Sequence, residues 1–240
     1  TYTAGTNFTL GSGDVTFGNT YTQTGGTFSP GTGSLAFNTH VAISAGTFNA
    51  PNGMLQLRGN LTVGASATFN AGSGTLVFDG PGNQGLVTSG TLTFNNLTVN
   101  KPTGTVLFFA SQATNLIIAG TLTLTDGGLQ DNTGVSTFNA QGPVLFAPTF
   151  DGGNGPLLIS GDSIRTVTLP VGAGIPRMTV DAANVTLDTS GAGTITFAQA
   201  FAVTNCASFT NGPVNFVFTQ AFTYTAGTNF TLGSGDVTFG

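Results

Sequence analysis

The stretch from Phe28 to Val63, FSPGTGSLAFNTHVAISAGTFNAPNGMLQLRGNLTV, holds nearly two turns of a short period. Phe28 and Phe48 stand twenty residues apart, and each is followed at seven and nine residues by an apolar pair, Leu35 with Phe37 and Leu55 with Leu57. A second pair follows at thirteen and fifteen, Val41 with Ile43 and Leu61 with Val63. Apolar residues two apart mark strands, whose side chains alternate between faces, and not helices. Gly31, Gly33 and Gly53 fall between the leading Phe and the first pair, where the chain must bend.

Phe8 extends the period backward and Phe69 extends it forward, with Val15, Phe17, Leu76 and Phe78 at the paired positions. Three inward clusters in some twenty residues predict an all-β fold, a parallel three-faced β-solenoid with coils of about 20 residues. Like residues of successive coils then form axial ladders at the spacing of about 4.8 Å between neighbouring strands. The template returns at Phe109, Leu116, Ile118, Leu122 and Leu124, and again from Ile195 through Phe209, Phe216, Phe218, Phe222, Tyr224 and Phe230. Between them, DGPGNQGLVTSG from Asp79 to Gly90 reads as a longer loop at one corner. From Asp126 to Val180 the phase stays open, with Phe138 and Phe150 each able to lead a coil and Pro143, Pro148, Pro156, Pro170 and Pro176 suggesting wider corners. The rings of Phe8, Phe28, Phe48, Phe69, Phe209 and Phe230 are expected to point inward and to stack.

A longer period encloses the short one: TYTAGTNFTLGSGDVTFG occurs without substitution as Thr1–Gly18 and as Thr223–Gly240. Residues 1–240 therefore read as one continuous solenoid segment, a 222-residue tandem repeat plus an 18-residue overlap. Division by the local period gives about eleven coils, a rise of roughly 53 Å, with Phe8 and Phe230 expected at the same phase of the coil. Neither end has the polar character of a capping coil, so the array is expected to continue in both directions.

Charged residues make up 5% of the chain against the roughly 25% of ordinary soluble domains. Gly, Thr, Ser and Asn fill the difference. With four basic residues, Arg58, Lys101, Arg165 and Arg177, and a net charge of −5, nothing attracts nucleic acid or an anionic membrane. No apolar run is long enough to span a membrane. Sparse charge also predicts stability that ignores ionic strength. The lone Cys206 has no partner for an internal disulfide and reads as a small buried apolar residue.

Solenoids also carry lyases and glycosidases, whose chemistry needs clustered or paired carboxylates. The nearest approach is Asp126 and Asp131, with Asp151 about one coil on, and Asp beside Gly is ordinary turn chemistry. His40, the single histidine, sits beside inward Val41 and faces out, so no Ser-His-Asp set forms. DGGNGP at Asp151–Pro156 lacks the tandem Asp of calcium-binding β-rolls, and the outward pairs around the seventh position are not the Thr ladder of an ice-binding face. Sequons at Asn7, Asn60, Asn96, Asn184 and Asn229 arise readily from strand sequences such as NLTV. No catalytic, cofactor-binding or metal-ligating residue is assigned, and no cofactor is expected.

The segments GTFNAPNGMLQLRGNLTVGASATFNAGSGTLVF, TLTFNNLTVN and AGTLTLTDGG resemble the β-strand-repeat passengers of bacterial surface proteins, including filamentous-haemagglutinin-like adhesins and autotransporters. The resemblance implies secretion, a right-handed parallel β-helix and a fibrous or adhesive role at the cell surface. A perfect long repeat is unusual in that group and favours a fibre of near-identical segments. The expected function is a structural, non-enzymatic extracellular filament or stalk. The alternative is an adhesin stalk displaying a binding tip, and a more distant one is a carbohydrate-binding or lyase-like β-helix. The expected partner is the same solenoid continued end to end, with the cell surface or glycans as further partners.

Overall fold

The computed structural model describes residues 6–88, 90–102, 104–111, 115–225 and 229–240, without the side chains of 109–111. Every regular element among them is a strand, and the strand pairings among the described residues are parallel, as stacked coils of one hand require. Three walls form. Wall A begins at Phe8–Thr9, wall B at Val15–Phe17 and wall C at Tyr21, the start of the strand Tyr21–Ser29 that turns the corner back into wall A. Thr and Val between the inward residues suit this lattice, because β-branched side chains fit a pleated surface.

Wall B is a single register from end to end. Val15 lies under Leu35, then Leu55, Leu76, Leu97, Leu122 and Val144. Leu145 pairs with Thr168, and the ladder continues through Val167, Leu187, Phe209 and Phe230. Ten steps carry the chain from residue 15 to residue 230, so coils average about 21.5 residues. Wall A runs from Leu92 through Leu116, Phe138, Leu157, Met178 and Phe201 to Phe222.

This register corrects the expected phase of the long repeat. Phe230, the counterpart of Phe8, stands on wall B above Val15, while Val237, the counterpart of Val15, stands on wall C above Phe216. The 222-residue period is thus ten coils and a third. The reason is coil length: the template keeps a spacing of twenty or twenty-one, but later coils are longer, as where Leu97 pairs with Leu122. The template slips across the walls accordingly. Phe109, its leading position in mid-chain, pairs on wall C with Leu86, and Phe209 leads on wall B. The corner-turning strand moves with it, from Tyr21–Ser29 and Val41–Asn49 at the C-to-A corner to Phe201–Thr210 at the A-to-B corner.

The inward residues form one continuous core. Phe28 and Phe48 stack at 4.6 Å and 4°, Phe48 and Phe69 at 5.4 Å and 10°, and Phe209 and Phe230 at 4.9 Å and 21°. Full burial holds for Phe28, Phe48 and Phe209 only; Phe69 and Phe230 are half-buried and Phe8 is 36% exposed. Phe8 and Phe230 lie in the outermost described rungs, each with one uncovered ring face. The expected loop at Asp79–Gly90 is shorter than its composition suggests, because Gln84–Thr88 is a strand with Leu86 fully buried. Between Asp126 and Val180 the phase resolves: Phe138 sits on wall A and Phe150 on wall C.

Corners are held by polar side chains. Asn7 accepts from Thr27 N–H, Asp14 from Ser34 N–H, Asn96 from Thr121 N–H and Asn215 from Asp236 N–H, each one coil on. These bonds satisfy backbone donors that the ladders leave unpaired where the chain turns. Asn49 and Asn70 add a side-chain step of the same kind at 2.8 Å. Gly46, at φ +84, turns a corner so close to the coil below that an added Cβ would overlap the Gly26 carbonyl.

Two substitutions test this packing. Phe48→Ala removes the middle ring of a stack and should destabilise the chain by about 3–5 kcal/mol, whereas Phe8→Ala should cost well under half of that. Denaturant midpoints with an unchanged slope would register both, and equal losses would contradict the burial order.

Candidate functional site

Three places bring chemically capable side chains together, and the first is the group of carboxylates near mid-chain. Asp131 is buried and accepts from Thr133 N–H and Oγ1–H at 2.9 and 2.6 Å and from Ser136 N–H at 3.3 Å. Arg177 Nη2 lies 3.9 Å away. Asp126 accepts from its neighbour Gly127 N–H at 2.7 Å, and Asp151 reaches Gly104 N–H at 2.6 Å. Each carboxylate bonds to a different piece of backbone, although all three residues lie in the strands Leu122–Asp131 and Phe150–Gly152 and not in the turns expected of them. Among the described residues no three His, Cys or acidic side chains gather as a metal would need.

The second place is a notch in wall A above Phe69. Val63 pairs with Thr88 and Leu76 with Leu97, so the lower coil uses thirteen residues between these walls and the upper one nine. Phe94 is as far from Thr88 as Phe69 is from Val63, and would be the next ring of the stack. Too little chain remains before Leu97 to turn the corner, so Phe94 meets Phe69 edge-on at 5.6 Å and 67°. Two hollows of about 320 and 390 Å³ open beside the Phe69 ring, one over Gly64–Thr68 and one over Asn70–Gly72. Their walls are mostly Ala, Gly, Thr and Asn, with Val63, Phe69, Leu92 and Phe94 as the large apolar members and no charged side chain among the described residues that line them.

The third place lies at the B-to-C corner, inside the solenoid. Lys101 is 1% exposed, although a lysine in a strand-rich sequence reads as a surface residue. Its Nζ donates to Gln84 Oε1 at 2.7 Å and to the Gly80 carbonyl at 3.0 Å. Gln84 is equally buried: its Oε1 also accepts from Gly80 N–H at 2.7 Å, and its Nε2 donates to the carbonyls of Leu57 and Gly59 at 2.9 and 2.7 Å. Burial lowers the Lys101 pKa to about 8, against a smaller opposing pull from Asp79. The cue in the sequence is Gln84 itself, a polar residue at an inward strand position two before Leu86.

The remaining candidates are structural. His40 is exposed and its Nδ1 accepts from Asn60 N–H at 2.9 Å, another corner bond. Cys206 is buried opposite Ala182, and burial raises its thiol pKa, which makes it inert. Arg165 is buried too, its guanidinium turned onto the carbonyls of Ser160 and Ser163. Of the sequon asparagines, Asn7, Asn60, Asn96, Asn184 and Asn229 all bond to corner backbone through their side-chain amides. With this geometry in hand, comparison with known proteins finds no matching family model, no matching curated sequence and no matching solved structure.

Two measurements follow from these contacts. Asp131→Ala leaves the Thr133 and Ser136 donors unpaired and should cost about 2–3 kcal/mol without altering the fold, read as a lower thermal midpoint with an unchanged far-ultraviolet spectrum. The two ion pairs seen among the described residues are partly exposed, so the midpoint of the parent chain should be the same in dilute buffer and in molar sodium chloride. A marked salt-induced fall would reveal ionic contacts absent from this structure.

Proposed function

We propose that the chain is a load-carrying segment of a long extracellular filament or stalk, built by tandem repetition of the 222-residue unit and having no catalytic role. The observation that carries this reading is the wall B ladder. It runs through ten coils without interruption and delivers a copy of the opening sequence onto the same stack, where the next coil has a strand edge to pair with. Repeat proteins of this kind grow by adding coils, each contacting only its neighbours. The uncharged Thr, Ser and Asn coat, the corners closed by amide side chains and the lack of any convergent acid pair among the described residues all suit mechanical continuity better than turnover. The resemblance to bacterial surface repeats supports export to the cell exterior.

In such an array each unit rises about 50 Å, ten and a third coils at the usual strand spacing, and begins one wall further round than its predecessor. Any surface feature, including the notch at Phe69, then returns to its original wall after three units. Electron microscopy of the material as the cell makes it should show unbranched rods on the cell exterior with an axial repeat of about 50 Å. Compact intracellular particles would contradict the proposal. Denatured mass adds a second test: a covalently continuous array must far exceed the 24.1 kDa of this 240-residue segment and grow in steps of one 222-residue unit.

A further inference from the structure

We propose that Lys101 and Gln84 become joined by an isopeptide bond inside the solenoid. The two side chains meet in a site closed to water, each 1% exposed, with Nζ 2.7 Å from Oε1. The surrounding groups match what attack on an amide requires. Gly80 N–H, 2.7 Å from Oε1, donates to the oxygen on which negative charge develops. The Leu57 and Gly59 carbonyls hold Nε2, the nitrogen that must leave, and accept from it as it gains a proton. The Gly80 carbonyl, 3.0 Å from Nζ, anchors the nucleophile. Two partners locked at contact distance replace a bimolecular encounter by an intramolecular one.

The step balances without any co-reactant. The Nζ lone pair forms a bond to Gln84 Cδ, the Cδ–Nε2 bond breaks, and a proton from Nζ passes to Nε2, which departs as ammonia. Asp79 is the charged group that acts on Lys101, and its Oδ1 is buried without a hydrogen bond, 3.7 Å from Arg58 Nε. Its Oδ2 accepts from Gln56 Nε2, so the proton passes directly from Nζ to Nε2. From the coil above, the Asp126 carbonyl accepts from Lys101 N–H at 3.0 Å. Burial keeps a useful share of the amine uncharged near neutral pH, since its pKa falls to about 8. The bond would staple adjacent coils at the corner where the loop after Asp79 interrupts the strand pattern, in keeping with a load-carrying role but independent of it.

Intact mass of the denatured full chain decides the matter. The expected result is a mass one ammonia below that of the sequence, with a branched peptide linking residues 84 and 101 after digestion. Lys101→Arg and Gln84→Leu should both restore the full mass. In chain isolated unfolded, before the bond has formed, and then refolded, the ammonia loss should speed up as pH rises through about 8, because only the neutral amine attacks. A parent chain at its full sequence mass would overturn the proposal. So would an ammonia loss that persists in Lys101→Arg, the pattern expected of succinimide formation at Asn52–Gly53.

Discussion

Axial pairing of backbone between coils is the constraint on which the structure depends. Each strand finds its hydrogen-bond partners one coil below and one coil above, so the polar groups of the main chain are satisfied by copies of the same stretch and not by a distant element. Side chains must then fit a lattice in which the same wall position recurs every coil. Phe28 under Phe48 and Leu35 under Leu55 meet that demand with large rings and branched chains. Where the ladders stop, at the corners, Asn and Asp side chains take over the pairing, which accounts for an amide-rich sequence with little charge.

The same lattice explains its own irregularities. A coil with four residues fewer between walls C and B cannot seat Phe94 flat on Phe69, and the ring stack of wall A ends there in a notch. A coil with extra residues after Asp79 needs something to replace the missing strand pairs, and the buried Lys101 and Gln84 fill that space. Longer coils also move the leading template position from wall A at Phe69 to wall C at Phe109 and wall B at Phe209. Together these small surpluses take two thirds of a coil from the expected eleven and leave ten and a third in the long period.

Much of this was legible in the residues alone. The spacing of Phe28, Leu35, Phe37, Val41 and Ile43 contains the three walls, because a two-residue alternation can bury only one face of each strand. The wall on which a given Phe falls was not legible, since it depends on the lengths of all intervening corners and no local pattern records them. Phe230 looked equivalent to Phe8 and is not. Lys101 escaped because burial of an amine depends on partners from another stretch, Gly80 and Gln84 of the coil below, that only the stacked coils bring to it. Asp126, Asp131 and Asp151, expected in turns from their Gly neighbours, lie instead within the strands Leu122–Asp131 and Phe150–Gly152, where each carboxylate bonds to backbone N–H groups.

The wall advance is the central claim, and one disulfide trap tests it where the template first leaves its original wall. In a Cys206→Ser background, Thr98→Cys is combined with either Thr123→Cys or Ile117→Cys, all three outward-facing strand positions. Residues in register on adjacent coils are about 4.8 Å apart, within disulfide reach. The structure pairs Thr98 with Thr123 and places Ile117 on wall A beside Thr93, so mild oxidation should close the first pair and leave the second reduced. Closure of Thr98 with Ile117 instead would mean that the template holds its phase and that the two copies of the opening sequence share a wall.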